Sequence, residues 1–113
     1  MISLALLLSA AAPAIVVQPV PKADPAALVS VDDYPAAARA QGLGGTTRVL
    51  LEVAPMGRVT ACRVLDSSGT AALDAATCRL LSSRSRFRPA MDNTGAPVTA
   101  NFETSITWTP PAR

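Results

Sequence analysis

Polar and apolar residues alternate without interruption from Val98 to Trp108, close to the C-terminal end of the chain. Such alternation is typical of a β-strand that buries one face and exposes the other. We therefore predict a strand over this stretch, and the Pro110-Pro111 pair ends it. Its exposed face would consist of Thr99, Asn101, Glu103, Ser105 and Thr107.

A second alternating stretch runs from Thr46 to Ala54, and Arg58 to Leu65 follows it after a turn that contains proline and glycine. This arrangement predicts an antiparallel hairpin. In the returning strand, Cys62 and Val64 lie on the same face. Strict alternation would place the apolar residue Val59 on the opposite face. That mismatch predicts either a bulge near the turn or a second face that is partly covered. The buried face of the first strand would consist of Thr47, Val49, Leu51 and Val53.

Two stretches have the pattern of helices. From Ala71 to about Ser83, apolar side chains recur every three or four residues, as expected of a helix that packs on a core. Pro35 to Gln41 is a shorter, alanine-rich helix that begins at a proline and ends before Gly42.

The predicted elements follow one another as helix, strand, strand, helix, strand. A right-handed crossover through the long helix makes the last strand parallel to the second strand. We therefore predict an α+β domain, α-β-β-α-β, whose two helices pack on a three-stranded antiparallel sheet of strand order 2-1-3. One edge of this sheet stays available to a partner.

The N-terminal third of the chain has a different composition. Met1 to Ala14 is an apolar run with a small-residue end, which predicts a signal peptide cleaved after Ala14. A retained membrane anchor is the alternative, although the run is short for a membrane span. Residues 15–33 contain three prolines and are predicted to be an extended, unpacked spacer. Residues 34–109 remain as the folded domain.

The 113-residue chain contains no histidine and carries a formal net charge of +2. Without histidine, neither a Ser-His-Asp nor a Cys-His arrangement is possible, and a zinc site would need scattered carboxylates to complete the two cysteines. No glycine-rich phosphate loop is present. The small charge does not favour nucleic-acid binding. We therefore expect a protein that is not an enzyme and that uses no cofactor or metal.

The chain has two cysteines, Cys62 on a predicted strand and Cys78 on the long predicted helix. An even pair in an exported chain indicates a disulfide, and Cys62 lies on the strand face that a helix should cover. Two buried thiols or a reactive pair are the alternatives. The spacing differs from Cys-x-x-Cys, and no histidine is available to lower a thiol pKa.

Six short motifs lie between positions 34 and 98, and each alone is a common turn or core signal. In order they are Tyr34-Pro35, Gly57-Arg58-Val59, Ser67-Ser68-Gly69, Leu73-Asp74, Arg86-Phe87 with Pro89-Ala90, and Pro97-Val98. As an ordered set they resemble the C-terminal domain of the TonB family of energy transducers. The resemblance implies a two-helix, three-stranded domain in the periplasm of a Gram-negative bacterium.

The resemblance also implies a function in TonB-dependent outer-membrane transport. Domains of this family bind the Ton box, a short receptor peptide, as an added strand. A retained anchor would connect the domain to an inner-membrane motor complex, whereas a cleaved signal would not. The alternative is a soluble, disulfide-stapled periplasmic protein that uses the same edge for a homodimer or another peptide, without energy transduction. The candidate binding residues are Val98, Thr99, Asn101, Glu103, Ser105 and Thr107.

Overall fold

The computed structural model describes residues 14–111, and its central sheet has three antiparallel strands. β3 (Gly45–Val53) lies between β4 (Val59–Asp66) and β8 (Ala100–Trp108). This is the predicted order 2-1-3, since β3 is the first strand of the hairpin and β8 the last strand of the chain.

Two helices pack on one face of this sheet. α1 spans Ala36–Ala40 and α2 spans Ala71–Arg84, close to the predicted bounds. The predicted α+β class is therefore confirmed. The buried stripe of α2 consists of Leu73, Ala76, Thr77, Leu80 and Leu81.

The core lies between α2 and the central strand. The predicted inner face of β3 is buried along its length, because all four of its side chains are fully inaccessible to solvent. Trp108 closes one end of the core, where the ring of Tyr34 meets it edge to face at 5.3 Å between centroids. Its indole Nε1–H donates to Thr77 Oγ1 at 2.8 Å, which satisfies a buried polar group.

β4 departs from regular pairing at two places. Its register with β3 shifts between Arg48 and Val49 and again between Glu52 and Val53. The second shift lies beside the turn, where Val53 pairs with Val59. The bulge that the parity of Val59 allowed is therefore present.

The disulfide between Cys62 and Cys78 is present and joins β4 to α2. The Cα atoms are 5.6 Å apart, within the usual range for a bridge. Both cysteines pack against the core.

Asp74, in the first turn of α2, ties the turn after β4 to the helix. Its carboxylate accepts hydrogen bonds from the Thr47 hydroxyl at 2.8 Å, from the Ser68 N–H at 2.9 Å, and from the Ser68 hydroxyl at 2.8 Å. The Ser67 hydroxyl donates as well. Burial by itself raises the pKa of Asp74, but these hydrogen bonds outweigh it and lower the pKa to about 2.

The segment 15–33 packs on the domain, so the prediction that it is unpacked is wrong. β1 (Ile15–Val17) pairs with β6 (Ala90–Asp92), and β2 (Val20–Pro21) pairs with β5 (Phe87–Arg88). The pairing partners are strands of two or three residues, which are too short to leave an alternating pattern in the sequence.

Two 3₁₀ turns, Pro25–Leu28 and Val31–Asp33, complete the docking of this segment. Arg84 at the end of α2 holds both. Its guanidinium donates to the Leu28 carbonyl at 2.8 Å and to both oxygens of Asp33 at 2.7 and 2.8 Å. These bonds to Arg84, with a further one from Ser30 N–H, hold the pKa of Asp33 well below its usual range.

The stretch between α2 and β8 is also more regular than expected. The sequence pattern predicts neither a helix nor a strand between Phe87 and Pro97, whereas the structure places β5 and β6 there. β7 (Pro97–Val98) pairs with β6, and Thr99 separates it from β8. The predicted single strand from Val98 is therefore two strands.

The prediction of a cleaved signal or a retained anchor over Met1 to Ala14 lies, apart from Ala14, outside the described part of the chain. Within residues 14–111, no helix is both long and apolar enough to cross a membrane.

Candidate functional site

The central sheet has two edges, and they differ in regularity. β8 pairs with β3 over nine successive residues without a register shift, from Gly45 opposite Trp108 to Val53 opposite Ala100. β4, at the other edge, carries both bulges. Bulges twist an edge and interrupt its hydrogen-bonding pattern, which protects it against further pairing. β8 is therefore the edge that is suited to accept another strand.

β8 has backbone groups that point away from β3, because alternate residues of an antiparallel strand direct their N–H and C=O to opposite sides. Among residues 14–111, no backbone hydrogen bond joins β8 to any segment other than β3. The outer row of donors and acceptors therefore has no backbone partner among the described residues, and the nearby segment is the 3₁₀ turn Pro25–Leu28, which has Cα atoms within 8 Å of β8.

Four of the predicted site residues lie on the sheet face opposite the helices. The exposed residues are Asn101, Glu103, Ser105 and Thr107, and the residues between them in β8 are directed toward the core. The predicted two-faced strand is therefore present. These side chains project from the face of the sheet, whereas strand addition uses the backbone at its edge.

Two of the four are already engaged across the sheet. Glu103 accepts from Arg48 at 2.7 Å, and the hydroxyls of Thr107 and Thr46 are 3.0 Å apart. Arg48 also donates to Asp66 at 2.6 Å, so a single arginine on β3 connects both edge strands. Asp66 and Glu103 are more than half exposed, and such surface pairs add little stability.

The remaining two predicted residues lie outside the β8 ladder. Val98 belongs to β7, where it pairs with Ala90 of β6. Thr99 is exposed at the break between β7 and β8. The structure therefore does not unite all six residues in one site.

A cavity that sequence reasoning missed lies at the C-terminal end of β8. Its volume is about 200 Å³. One wall comes from the chain just before α1, which the sequence assigned partly to a spacer. Thr107, on the exposed face of β8, and Trp108, on its buried face, both line the cavity. The cavity therefore opens at the edge of the strand, between these two faces. Its lining consists of Val29, Ser30, Val31, Tyr34, Thr107, Trp108 and Thr109.

The wall of this cavity is rigidly supported. The Tyr34 hydroxyl donates to the Leu43 carbonyl, and the indole of Trp108 donates to Thr77. The Thr77 hydroxyl in turn donates to the Leu73 carbonyl at 2.8 Å. The cavity thus has a fixed aromatic base and a rim that includes the Ser30 and Thr107 hydroxyls.

No group of three or more His, Cys, Asp or Glu side chains within the described range 14–111 is arranged to hold a metal ion. The geometry of the site is that of a strand edge with an adjoining cavity.

The model of the family "Gram-negative bacterial TonB protein C-terminal" matches residues 31–110. The chain belongs to this family. The match begins three residues before Tyr34 and includes the second 3₁₀ turn, both helices, and the whole central sheet. TonB C-terminal domains are periplasmic modules that act in transport in Gram-negative bacteria.

Two solved structures of TonB C-terminal domains are similar in fold. The solution structure of the Pseudomonas aeruginosa TonB C-terminal domain has a TM-score of 0.58 and 24% sequence identity, over 71% of this chain and 79% of that one. The solution structure of the Helicobacter pylori TonB C-terminal domain has a TM-score of 0.51 and 22% identity, over 71% of this chain and 70% of that one. No curated protein sequence matches this chain.

Proposed function

We propose that this TonB C-terminal domain acts in TonB-dependent outer-membrane transport by binding the Ton box of a receptor as an added strand on the outer edge of β8. The observation that carries the proposal is the nine-residue ladder between β3 and β8, which is free of bulges. Backbone hydrogen bonds would supply affinity, and pockets for alternate side chains would supply selectivity.

The cavity at the end of β8 provides one such pocket. A strand added beside Thr107 and Thr109 would pass Val29 and Val31, so one of its side chains would meet the aromatic base formed by Tyr34 and Trp108. A pocket with two aromatic and two aliphatic side chains favours an apolar or aromatic peptide residue at this position.

The family and the apolar run from Met1 to Ala14 support a periplasmic location. We infer that the chain is exported and acts in the periplasm. Mass spectrometry of the protein from its native host distinguishes a cleaved signal from a retained anchor. A chain that begins at Ile15 has lost its link to an inner-membrane motor, whereas a chain that retains Met1 can be coupled to it.

Strand addition is tested with two Ton-box peptides of identical sequence, taken from receptors of the same organism. One is N-methylated at the odd positions of its backbone and the other at the even positions. An added strand uses only alternate N–H groups, so one peptide should lose nearly all affinity and its partner should bind as well as the unmodified peptide. Isothermal titration calorimetry gives the three affinities.

Hydrogen exchange locates the binding edge. The outward amides of β8 should gain protection in the complex, and the bulged edge strand β4 serves as the internal control. Equal binding by both methylated peptides, or new protection on β4 rather than β8, would contradict the proposal. Protection of β8 that rises with protein concentration in the absence of peptide would instead indicate a homodimer through the same edge.

A further inference from the structure

A second surface lies where the N-terminal segment pairs with the chain after α2. In this pairing Val20 is opposite Arg88, and Pro21 is opposite Phe87. Directly opposed residues of an antiparallel pair project from the same face. Phe87 is only 1% exposed, so the face it shares with Pro21 is directed toward the core. Val20 and Arg88 are therefore directed toward solvent.

Basic residues extend this outward face on both sides. Lys22 N–H donates to the Arg86 carbonyl at 2.8 Å, which continues the pairing by one step. On the other side, Arg58 and Arg86 form an antiparallel bridge. Residues two apart in a strand project from the same face. We call this cluster the basic patch, and it consists of Lys22, Arg58, Arg86 and Arg88.

The positive charge of the basic patch is not balanced by ion pairs within residues 14–111. All four side chains are exposed, and within residues 14–111 none of them forms an ion pair with a carboxylate. Arg86 uses one nitrogen to donate to the Ser83 and Ser85 carbonyls at the end of α2. Like charges opposite one another destabilise a sheet. The patch therefore opposes folding to some degree, and a bound anionic partner would relieve this repulsion.

Exposed aliphatic residues adjoin the basic patch. Val20, which pairs with Arg88 of the patch, is 51% exposed, and Val16 of β1 is 60% exposed. Ile15 and Val17 are also exposed. The apolar run at positions 1–13 joins the chain directly ahead of them. Two residues separate β1 from β2, so these aliphatic side chains and the cations belong to neighbouring segments of the chain.

We propose that this surface docks on a membrane that contains anionic lipids. Aliphatic side chains that enter the interface, together with basic side chains that contact phosphate headgroups, are the two features of interfacial membrane binding. An acidic soluble partner would account for the cations but not for the adjoining valines. The surface involves neither the outer edge of β8 nor the cavity beside it, so docking is independent of strand addition.

The test uses protein released from the periplasm by osmotic shock, so that any chain retained by an anchor is absent. Vesicles of phosphatidylethanolamine with 30% phosphatidylglycerol, and vesicles of phosphatidylcholine alone, are sedimented with the protein in 0.1 M NaCl. We expect binding to the anionic vesicles only, with loss in 0.5 M NaCl because salt screens the attraction.

Variants assign the binding to the patch. Lys22→Gln, Arg58→Gln and Arg88→Gln together should weaken binding to anionic vesicles about 100-fold, since each basic side chain near such a surface contributes a factor of about five. The matched control changes three exposed arginines elsewhere, Arg39, Arg63 and Arg79, to Gln and removes the same charge. It should weaken binding less than about threefold.

A third variant tests the aliphatic part. Val16→Thr with Val20→Thr keeps the β-branched shape and all charges, and it should weaken binding roughly 10-fold. Equal losses in the two charge variants would overturn the proposal, as would no binding of the parent protein to anionic vesicles. Sedimentation with purified peptidoglycan that depends on the patch, without vesicle binding, would assign the surface to another partner and would overturn it as well.

Discussion

Replacement of Asp74 by asparagine tests the link between the turn after β4 and α2. The carboxylate accepts from Thr47, Ser67 and Ser68, and Ser68 donates through both its N–H and its hydroxyl. Asparagine keeps one acceptor oxygen for Thr47 and Ser68 and turns its NH₂ group toward the Ser67 hydroxyl, which can accept a hydrogen bond. The change therefore removes the negative charge that strengthens these hydrogen bonds.

The magnitude follows from the pKa of Asp74, which is lowered from 3.8 to about 2. A difference of this size corresponds to about 2 kcal/mol of folding free energy at pH 7. We expect Asp74→Asn to lower the free energy of unfolding by about 2 kcal/mol at pH 7, and the Tm by about 10 °C for a domain of this size.

The effect should depend on pH with a definite sign. A carboxyl group whose pKa is lower in the folded state stabilises the fold above its unfolded pKa, and this contribution is lost as the pH falls through the folded value. The difference between parent and variant should therefore be full at pH 6–7 and should shrink as the pH falls from about 4 to about 2.

The assay is urea unfolding followed by the fluorescence of Trp108, the single tryptophan, which is 4% exposed in the fold. Asp32→Asn is the matched control, because Asp32 is exposed and its carboxylate has no hydrogen bond within residues 14–111. It should change stability by less than about 0.5 kcal/mol. A difference between parent and Asp74→Asn that stays constant from pH 7 to pH 2 would refute the assignment of the stabilisation to this carboxylate.

Three further predictions concern the core and the docked N-terminal segment. Cys62→Ala with Cys78→Ala should lower the free energy of unfolding by about 3 kcal/mol, because the disulfide closes a loop with a sequence separation of 16. In urea unfolding, a dithiol reductant should destabilise the parent protein but not the double variant. Thr77→Val should cost about 1–3 kcal/mol because it leaves the buried indole N–H of Trp108 without an acceptor; Thr77→Ser should recover most of this, and equal losses would assign the effect to packing. Arg84→Gln should speed amide exchange in the two 3₁₀ turns roughly 3- to 10-fold, without change in β8, because it removes the paired contact with Asp33; unchanged exchange would show that other contacts hold these turns.

The long elements were predictable because their patterns are strong and local. Alternation over nine residues defines β3 and β8, and the 3.6-residue period defines α2. The bulge beside Val59 was visible as a break in parity. The disulfide followed from the placement of two cysteines on elements that the fold brings together.

The candidate site was only partly predictable. The sequence identified β8 as a two-faced strand but assigned the binding role to side chains on its exposed face. In the structure these side chains face away from the helices, and Glu103 and Thr107 contact β3. Which edge is regular depends on bulges in β4, and bulges are a property of strand pairing rather than of one strand.

The sequence by itself therefore determined the fold class, the order of the main strands and the pair of cysteines, because each rests on periodicity or on spacing along the chain. Only the tertiary structure decided that residues 15–33 pack on the domain, that β8 is the regular edge, and that a cavity and a basic patch exist. The physical reason is that these features join residues far apart in sequence. Strands of two or three residues, the Arg84–Asp33 contact and the bridge between Arg58 and Arg86 form only when the central sheet and α2 hold their partners in place.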